Sequence, residues 1–324
     1  MIGENVRPRV REFWAEFRKD RAGLVGVGLL VLFLALLAFE PLLVPFPEGA
    51  KRWHDITYWA DNPQSAAPAW TNWFRAKKSA VALVVRDFET AEEESDGLRL
   101  VRRSFAYDYR YDQPPLDVIL RFTATGDIPT TLSVSRPDGI ELELFAGQFT
   151  AGERENVRVS VDRDSENAVF AFLKEHEGEE ITSMIDVKQL DPTTIIFAEA
   201  GPGMHERPKP LPGRYVFTLM TMLLSEDRAV ENPHLIISGK VSGLLGTDNA
   251  KRDLWTGIVA GVKWALLIGL LTAFVSVAVG VIAGIASAYY RGWIEVVINR
   301  VFEIIVNMPL LPMLIILAAV FKLN

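Results

Sequence analysis

The sequence predicts a membrane α-helical protein with three transmembrane helices and, between the first two, an extracytoplasmic domain of mainly-β, sandwich-like structure. Three observations predict it. Apolar runs recur near the start, at 264–290 and at 304–321. The middle of the chain, 47–253, is strand-like in pattern and carries 24 Lys/Arg against 34 Asp/Glu, a net charge of −10. Finally, 49% hydrophobic with 23% charged residues is too polar for a bare bundle of membrane helices and too apolar for an ordinary soluble protein, which marks a hybrid.

The first segment, 1–21, interleaves Arg7, Arg9, Arg11, Arg18, Lys19 and Arg21 with Phe13, Trp14, Phe17, Glu12 and Glu16. Such a pattern suits either a short amphipathic helix on a membrane surface or a solvated tail. A first transmembrane helix is predicted over 22–46. Its uncharged part, 22–39, has 18 residues, close to the lower bound for spanning. It is longer than a signal-peptide core, and the following EPLLVPFPEG lacks a small-x-small cleavage pattern. The excess of Lys/Arg ahead of the run predicts a cytoplasmic N-terminus in a multi-pass protein of the cell (inner or plasma) membrane.

The extracytoplasmic domain is predicted over 47–243. It opens on an aromatic stretch with Trp53, Trp59, Trp70 and Trp73, in which Pro63 and Pro68 discourage a continuous helix. Its indole rings either lie at the membrane-water interface or pack under the domain. Strand-like runs follow at 98–110, 116–125, 130–139 and 155–161, with a turn at Pro137-Asp138-Gly139. A short helix is expected over 167–177, and further strands at 193–200, 214–224 and 234–241. Leu211 to Tyr215, LPGRY, resembles a strand entry in many extracellular β-sandwich domains.

The domain shows no catalytic constellation. Its histidines, His54, His176, His205 and His234, have neither i, i+4 spacing nor an HExxH arrangement, so no metal site is expected. No serine sits in a G-x-S-x-G turn, and no G-x-x-x-x-G-K-[ST] loop is present, so neither that nucleophile nor that ATP site is expected. No enzyme activity and no cofactor are predicted. The acidic balance argues against nucleic acid, and the absence of cysteine excludes disulfides and thiolate sites.

A polar turn over 244–263, containing LGTDNAKRD, leads into the second transmembrane helix at 264–290. Its 27 uncharged residues would reach roughly 40 Å as a helix, against a hydrocarbon core of about 30 Å. Gly269, Ala273, Gly280 and Gly284 would permit close helix packing. A cytoplasmic turn and helix start at 291–303 precede the third transmembrane helix, 304–321, where Pro309 and Pro312 predict a kink or break. Arg300 and Glu303, three apart, are placed to pair on one helix face.

Gly246, Thr247 and Asp248, then Arg252 and Asp253, then Gly261 and the uncharged run, resemble the G-T-D-x-x-G-R-D segment of dipeptide and oligopeptide ABC importer permeases. In order, Tyr289 to Trp293, then Arg300, Glu303 and Pro309, are similar to that family's cytoplasmic turn and third helix; the resemblance covers 7–46 and 244–321. Lys251 stands where the family usually has glycine, and roughly 200 residues fill a loop that is shorter in many relatives. The family's later E-A-A loop, which docks on the ATPase, does not occur here, so either further sequence or another chain is expected to supply it. The resemblance implies the N-terminal part of a type I ABC importer permease that moves peptides or similar small solutes. It implies, as partners, a second permease subunit, two ATPase subunits, an extracellular solute-binding protein and membrane lipid. Asp248, Arg252 and Asp253 are read as a structural turn at the outer mouth of the pathway. A membrane-anchored extracellular receptor or adhesion module is the alternative.

Overall fold

The computed structural model describes residues 14–95, 98–150, 156–183, 185, 190–225, 228–290 and 292–321. Arg7, Arg9, Arg11, Glu12, Phe13 and Arg291 therefore lie outside the described residues. The chain divides into two units, one formed by 40–260 and the other by the stretches that flank it.

Helix α1 (Arg21–Leu43) carries the first apolar run. Among the described residues nine strands follow: β1 (Leu83–Val85), β2 (Glu89–Ser95), β3 (Leu98–Tyr109), β4 (Asp117–Thr125), β5 (Ile128–Ser135), β6 (Glu141–Phe149) and β7 (Asn156–Arg158), then β8 (Gly213–Leu223) and β9 (Ala229–Ser238). Between β7 and β8 lie α2 (Arg163–Glu177), α3 (Glu179–Thr182) and α4 (Pro192–Ile196). Antiparallel pairing gives a four-stranded sheet, β1-β9-β4-β7, and a five-stranded sheet, β2-β3-β8-β5-β6.

The sheets share one core because their strands alternate. Along β8, Tyr215, Phe217, Leu219, Thr221 and Leu223 are buried while their neighbours are more exposed, the period of two that a half-buried strand requires. Phe105 and Val134 flank Phe217 in register, and Leu120 and Leu235 face each other in the other sheet. Phe122 of β4 meets Phe149 of β6 with ring centroids 4.3 Å apart, so the two sheets touch face to face. Val169, Phe172 and Leu173 bring α2 into the same core. Tyr215 donates its hydroxyl to the Leu211 carbonyl at 2.9 Å, fixing the entry to β8.

Residues 193–200 are not a strand. Asp191 caps the backbone N–H of Thr193 at 3.1 Å and Pro192 occupies the first helical turn, so this start signal overrides the β-branched Thr193, Thr194, Ile195 and Ile196. Strands β1, β2 and β6 were not anticipated; β2, ETAEEES, has no apolar alternation to reveal it.

Arg136 binds that short helix to the sheet. Its side chain is fully buried, donates to the carbonyls of Ile195, Ile196 and Ala198 at 2.7–3.2 Å, and pairs with Asp138 at 2.7 Å. A cation at a helix C-terminus satisfies carbonyls that the helix cannot.

In the helical unit, α1 and α5 (Leu254–Tyr290) are long and apolar enough to cross a membrane. Helices α6 (Trp293–Asn307) and α7 (Leu310–Phe321) bend by 79° at the break between them. Met308 is extended, as the residue before a proline prefers, and Pro309 offers its carbonyl to Met313. Pro312 sits in the first turn of α7, where its missing N–H costs little.

Arg136→Met should lower the stability of the sheet unit by about 3–5 kcal/mol, since Asp138 and three carbonyls lose a buried cation; Arg136→Lys should fall between. Urea unfolding of the full chain in detergent, followed by amide hydrogen exchange at β5 and α4, measures both.

Candidate functional site

The five matched residues between Gly246 and Asp253 form one tight loop inside the sheet unit, just ahead of α5. Thr247 and Asp253 bridge its two arms, and Asp248 accepts at one carboxylate oxygen from the backbone N–H groups of Ala250 and Arg252, at 2.9 and 2.8 Å. The other oxygen pairs with the Arg252 guanidinium at 2.7 Å. That guanidinium also lies over the Trp53 ring, 4.6 Å from its centroid. Burial by itself would raise the Asp248 carboxyl, but the backbone N–H groups and side chain of Arg252 outweigh it and hold the group below the usual aspartate range.

Asp253 starts the helix. Its carboxylate accepts from the Thr256 backbone N–H at 2.8 Å and hydroxyl at 2.6 Å, and both side chains are buried. Helix α5 therefore opens at Leu254, inside the span expected as a turn, and passes through Gly257 against the Trp53 ring.

The loop is gripped by residues 60–70. Thr247 donates its hydroxyl to the Pro63 carbonyl at 2.6 Å and accepts from the Ala66 N–H at 3.0 Å, while its own N–H reaches the Ala66 carbonyl at 3.0 Å. Gly246 has φ +78, and a Cβ there would stand 2.2 Å from the Ala66 carbonyl oxygen, so only glycine fits. Trp70 donates its indole N–H to Leu244 at 2.9 Å.

Lys251, at the position of the family's usual glycine, keeps the left-handed conformation with φ +65. The strain is offset locally: its ammonium donates to the Ala60 carbonyl at 3.0 Å, and its carbonyl accepts from the Asn62 amide at 3.0 Å. Burial, then the charges of Arg158 and Arg121, lowers the Lys251 pKa against the opposing pull of Asp61 and Asp117. Asp61 is the centre of that cluster, 2.6 Å from Arg121 and 3.2 Å from the His234 ring. Sequence reasoning missed Asp61, Asn62, Pro63, Ser65 and Ala66 as parts of this site, because their partners are distant in sequence, from Arg121 to Lys251, and leave no local signal.

The remaining predicted residues fall in the helical unit. Gly261 lies on α5 with open space where a side chain would stand. Arg300 and Glu303 pair at 2.7 Å on an exposed face of α6, and Pro309 marks the break before α7. An apolar cavity of about 210 Å³ is lined by Phe33, Val262, Ala265, Leu266, Gly269 and Leu270. Among the described residues no group of three His, Cys, Asp or Glu could hold a metal ion. The loop is a hydrogen-bonded clamp whose polar side chains are tied to one another and to the backbone, which fixes its geometry.

Residues 9–64 match the family described as the N-terminal TM domain of oligopeptide transport permease C, a match that runs through α1 and the aromatic stretch to Gln64. The chain is 40% identical over 76 residues to the peptidoglycan transport system permease protein YejE of Agrobacterium fabrum, covering 24% of this chain and 20% of that protein. It is 42% identical over 66 residues to putative peptide transport system permease proteins of Brucella suis and Brucella abortus, covering 20% of this chain and 22% of each of those. The chain thus spans about a fifth of the length of the curated relatives it matches. These likenesses to peptide transport permeases lie in a minor part of the chain, and the apolar helices agree with a membrane protein.

Two substitutions at one position separate backbone strain from side-chain bonding. Lys251→Ala should cost about 1 kcal/mol, because it loses the bond to Ala60 and keeps the strain. Lys251→Gly should stay within about 0.5 kcal/mol of the parent, because relief of roughly 1–2 kcal/mol of left-handed strain offsets the lost bond and the added chain entropy. Urea midpoints in detergent decide this.

The Asp248 carboxyl titrates lower in the folded chain than unfolded, so its stabilisation is fully present above about 3.9, the ordinary aspartate value, and is lost as pH falls through the folded value. The stability gap between the parent and Asp248→Asn should therefore be largest near neutral pH and shrink in acid. Thermal unfolding across that pH range checks the sign.

Proposed function

We propose that this chain is a membrane permease subunit of an ATP-driven, binding-protein-dependent importer of peptides or similar small solutes. The observation that carries the reading is the family match through α1 to Gln64, joined by hydrogen bonds to a Gly246-Thr247-Asp248 loop of permease type. In this reading the N-terminus is cytoplasmic, α1 and α5 span the membrane, and the bent pair α6 and α7 forms a third, broken span. The clamp stands at the outer mouth of the pathway, where a permease needs fixed backbone more than reacting groups.

Open space around Gly261, Gly269, Gly280 and Gly284 supports the same reading, since another helix of the assembly can approach there closely. A second permease, two ATPase subunits and an extracellular solute-binding protein complete the transporter, and the sheet unit contacts the binding protein. One relative is named for peptidoglycan transport and others for peptides, so peptides and peptidoglycan-derived peptides are the solutes to test first.

A strain lacking the gene should lose ATP-dependent uptake of such labelled peptides and regain it with the parent gene. A gene deleted for residues 75–243 should restore the membrane assembly but not delivery. Unchanged uptake in the first strain would refute the transport reading and favour a membrane-anchored receptor.

A further inference from the structure

We propose that the sheet unit carries a lipid-binding edge, formed by Trp70, Trp73 and Phe74 with Arg75, Lys77 and Lys78, that rests on an anionic phospholipid surface. The four neighbouring tryptophans do not share one environment. Trp59 is 1% exposed and packs edge-on against Phe46, Trp53 and Tyr58, whereas Trp73 and Phe74 are 80% and 82% exposed and Trp70 is 42% exposed. Leu244, whose carbonyl holds the Trp70 indole, is exposed as well.

This exposure is built into a fixed piece of backbone. The aromatic residues sit on and just after a 3-10 helix, Ala69–Trp73. At its centre Asn72 is buried, donating to the Ser79 carbonyl at 2.9 Å and accepting from the Ser79 N–H at 3.1 Å. Turning Asn72 inward directs its neighbours outward. Trp70 and Phe74 meet edge to face at 6.3 Å, making one apolar ridge.

Charge selects the occupant. In a segment set within an acidic middle region, no Asp or Glu occurs from Asn62 to Arg86, while Arg75, Lys77, Lys78 and Arg86 do. Arg75, Lys77 and Lys78 are exposed beside the ridge. Indole rings favour the water-hydrocarbon boundary and basic side chains favour anionic headgroups, so the two features together fit a lipid surface. The unit is tethered on both sides by helices apolar enough to cross a membrane, which raises the effective concentration of bilayer at its surface. The proposal rests on the membrane reading of α1 and α5 and is independent of transport.

The chain has no cysteine, so Phe74→Cys offers a single site for a nitroxide label, with Glu175→Cys on the exposed face of α2 as the reference. In nanodiscs of phosphatidylcholine and phosphatidylglycerol holding the full chain, oxygen should relax the label at 74 more than a water-soluble nickel chelate does. The order should reverse at 175. Arg75→Glu, Lys77→Glu and Lys78→Glu together, or phosphatidylcholine alone, should shift position 74 toward the reference. A label at 74 that is as open to the nickel chelate as the label at 175 overturns the proposal. So does one that stays open in the nanodisc and is immobilised only when a solute-binding protein is added.

Discussion

The Thr247 hydroxyl is the contact on which the arrangement of the sheet unit depends. It donates to Pro63 and accepts from Ala66, joining positions more than 180 residues apart, and both bonds form where water is excluded. A buried hydroxyl with both roles filled is favourable; the same hydroxyl with one role empty is costly. The neighbouring backbone follows the same path, since Ala67 bonds to Lys240 and Ser242, and Ser65 to Asp248. Gly246 then has to be glycine, because the two strands of chain approach too closely for a Cβ.

That closure explains how so large a domain fits between two apolar helices. Once residues 60–70 and 240–253 are paired, the sheets between them start and finish at one place. Loop-closure entropy grows only slowly with length, so the long excursion adds a modest cost that the sandwich core readily offsets. The aromatic group around Trp59 reinforces the closure: Trp255 donates to Leu43 at 2.7 Å, and Trp53 lies between the Arg252 guanidinium and Gly257.

Much of this was legible where the signal is local. Long uncharged runs announce α1 and α5, and alternation announces β3, β4, β5 and β8. The G-T-D-x-x-x-R-D pattern contains an internal bond, Asp248 to Arg252, and its last residue, Asp253, bonds to Thr256 just beyond it. What sequence could not supply are partners set by the tertiary fold. Trp59 and Trp73 are the same residue in the same stretch, yet one is buried and the other exposed because only one faces Gly49 and Phe46. Lys251 looked like a departure from the glycine that a left-handed turn prefers; the fold retains the turn by tying both ends of the lysine to Ala60 and Asn62.

The charged cluster shows how sheet register and the clamp constrain each other. Arg121 of β4 and His234 of β9 are direct cross-strand partners, so their side chains leave the sheet on one face, and both reach Asp61. Just beyond, the register shifts between Arg121 and Thr123, as a bulge does when it re-aims a strand. A slip of one residue would turn Arg121 to the opposite face and leave the half-buried Asp61 without its arginine partner. Burial raises the Asp61 carboxyl, while His234, Arg121 and Arg86 more than compensate and keep it below the ordinary range, so the charged form is the one this register selects. The strand pairing that builds the core thereby also fixes the segment that holds Thr247, and neither can shift without breaking the other.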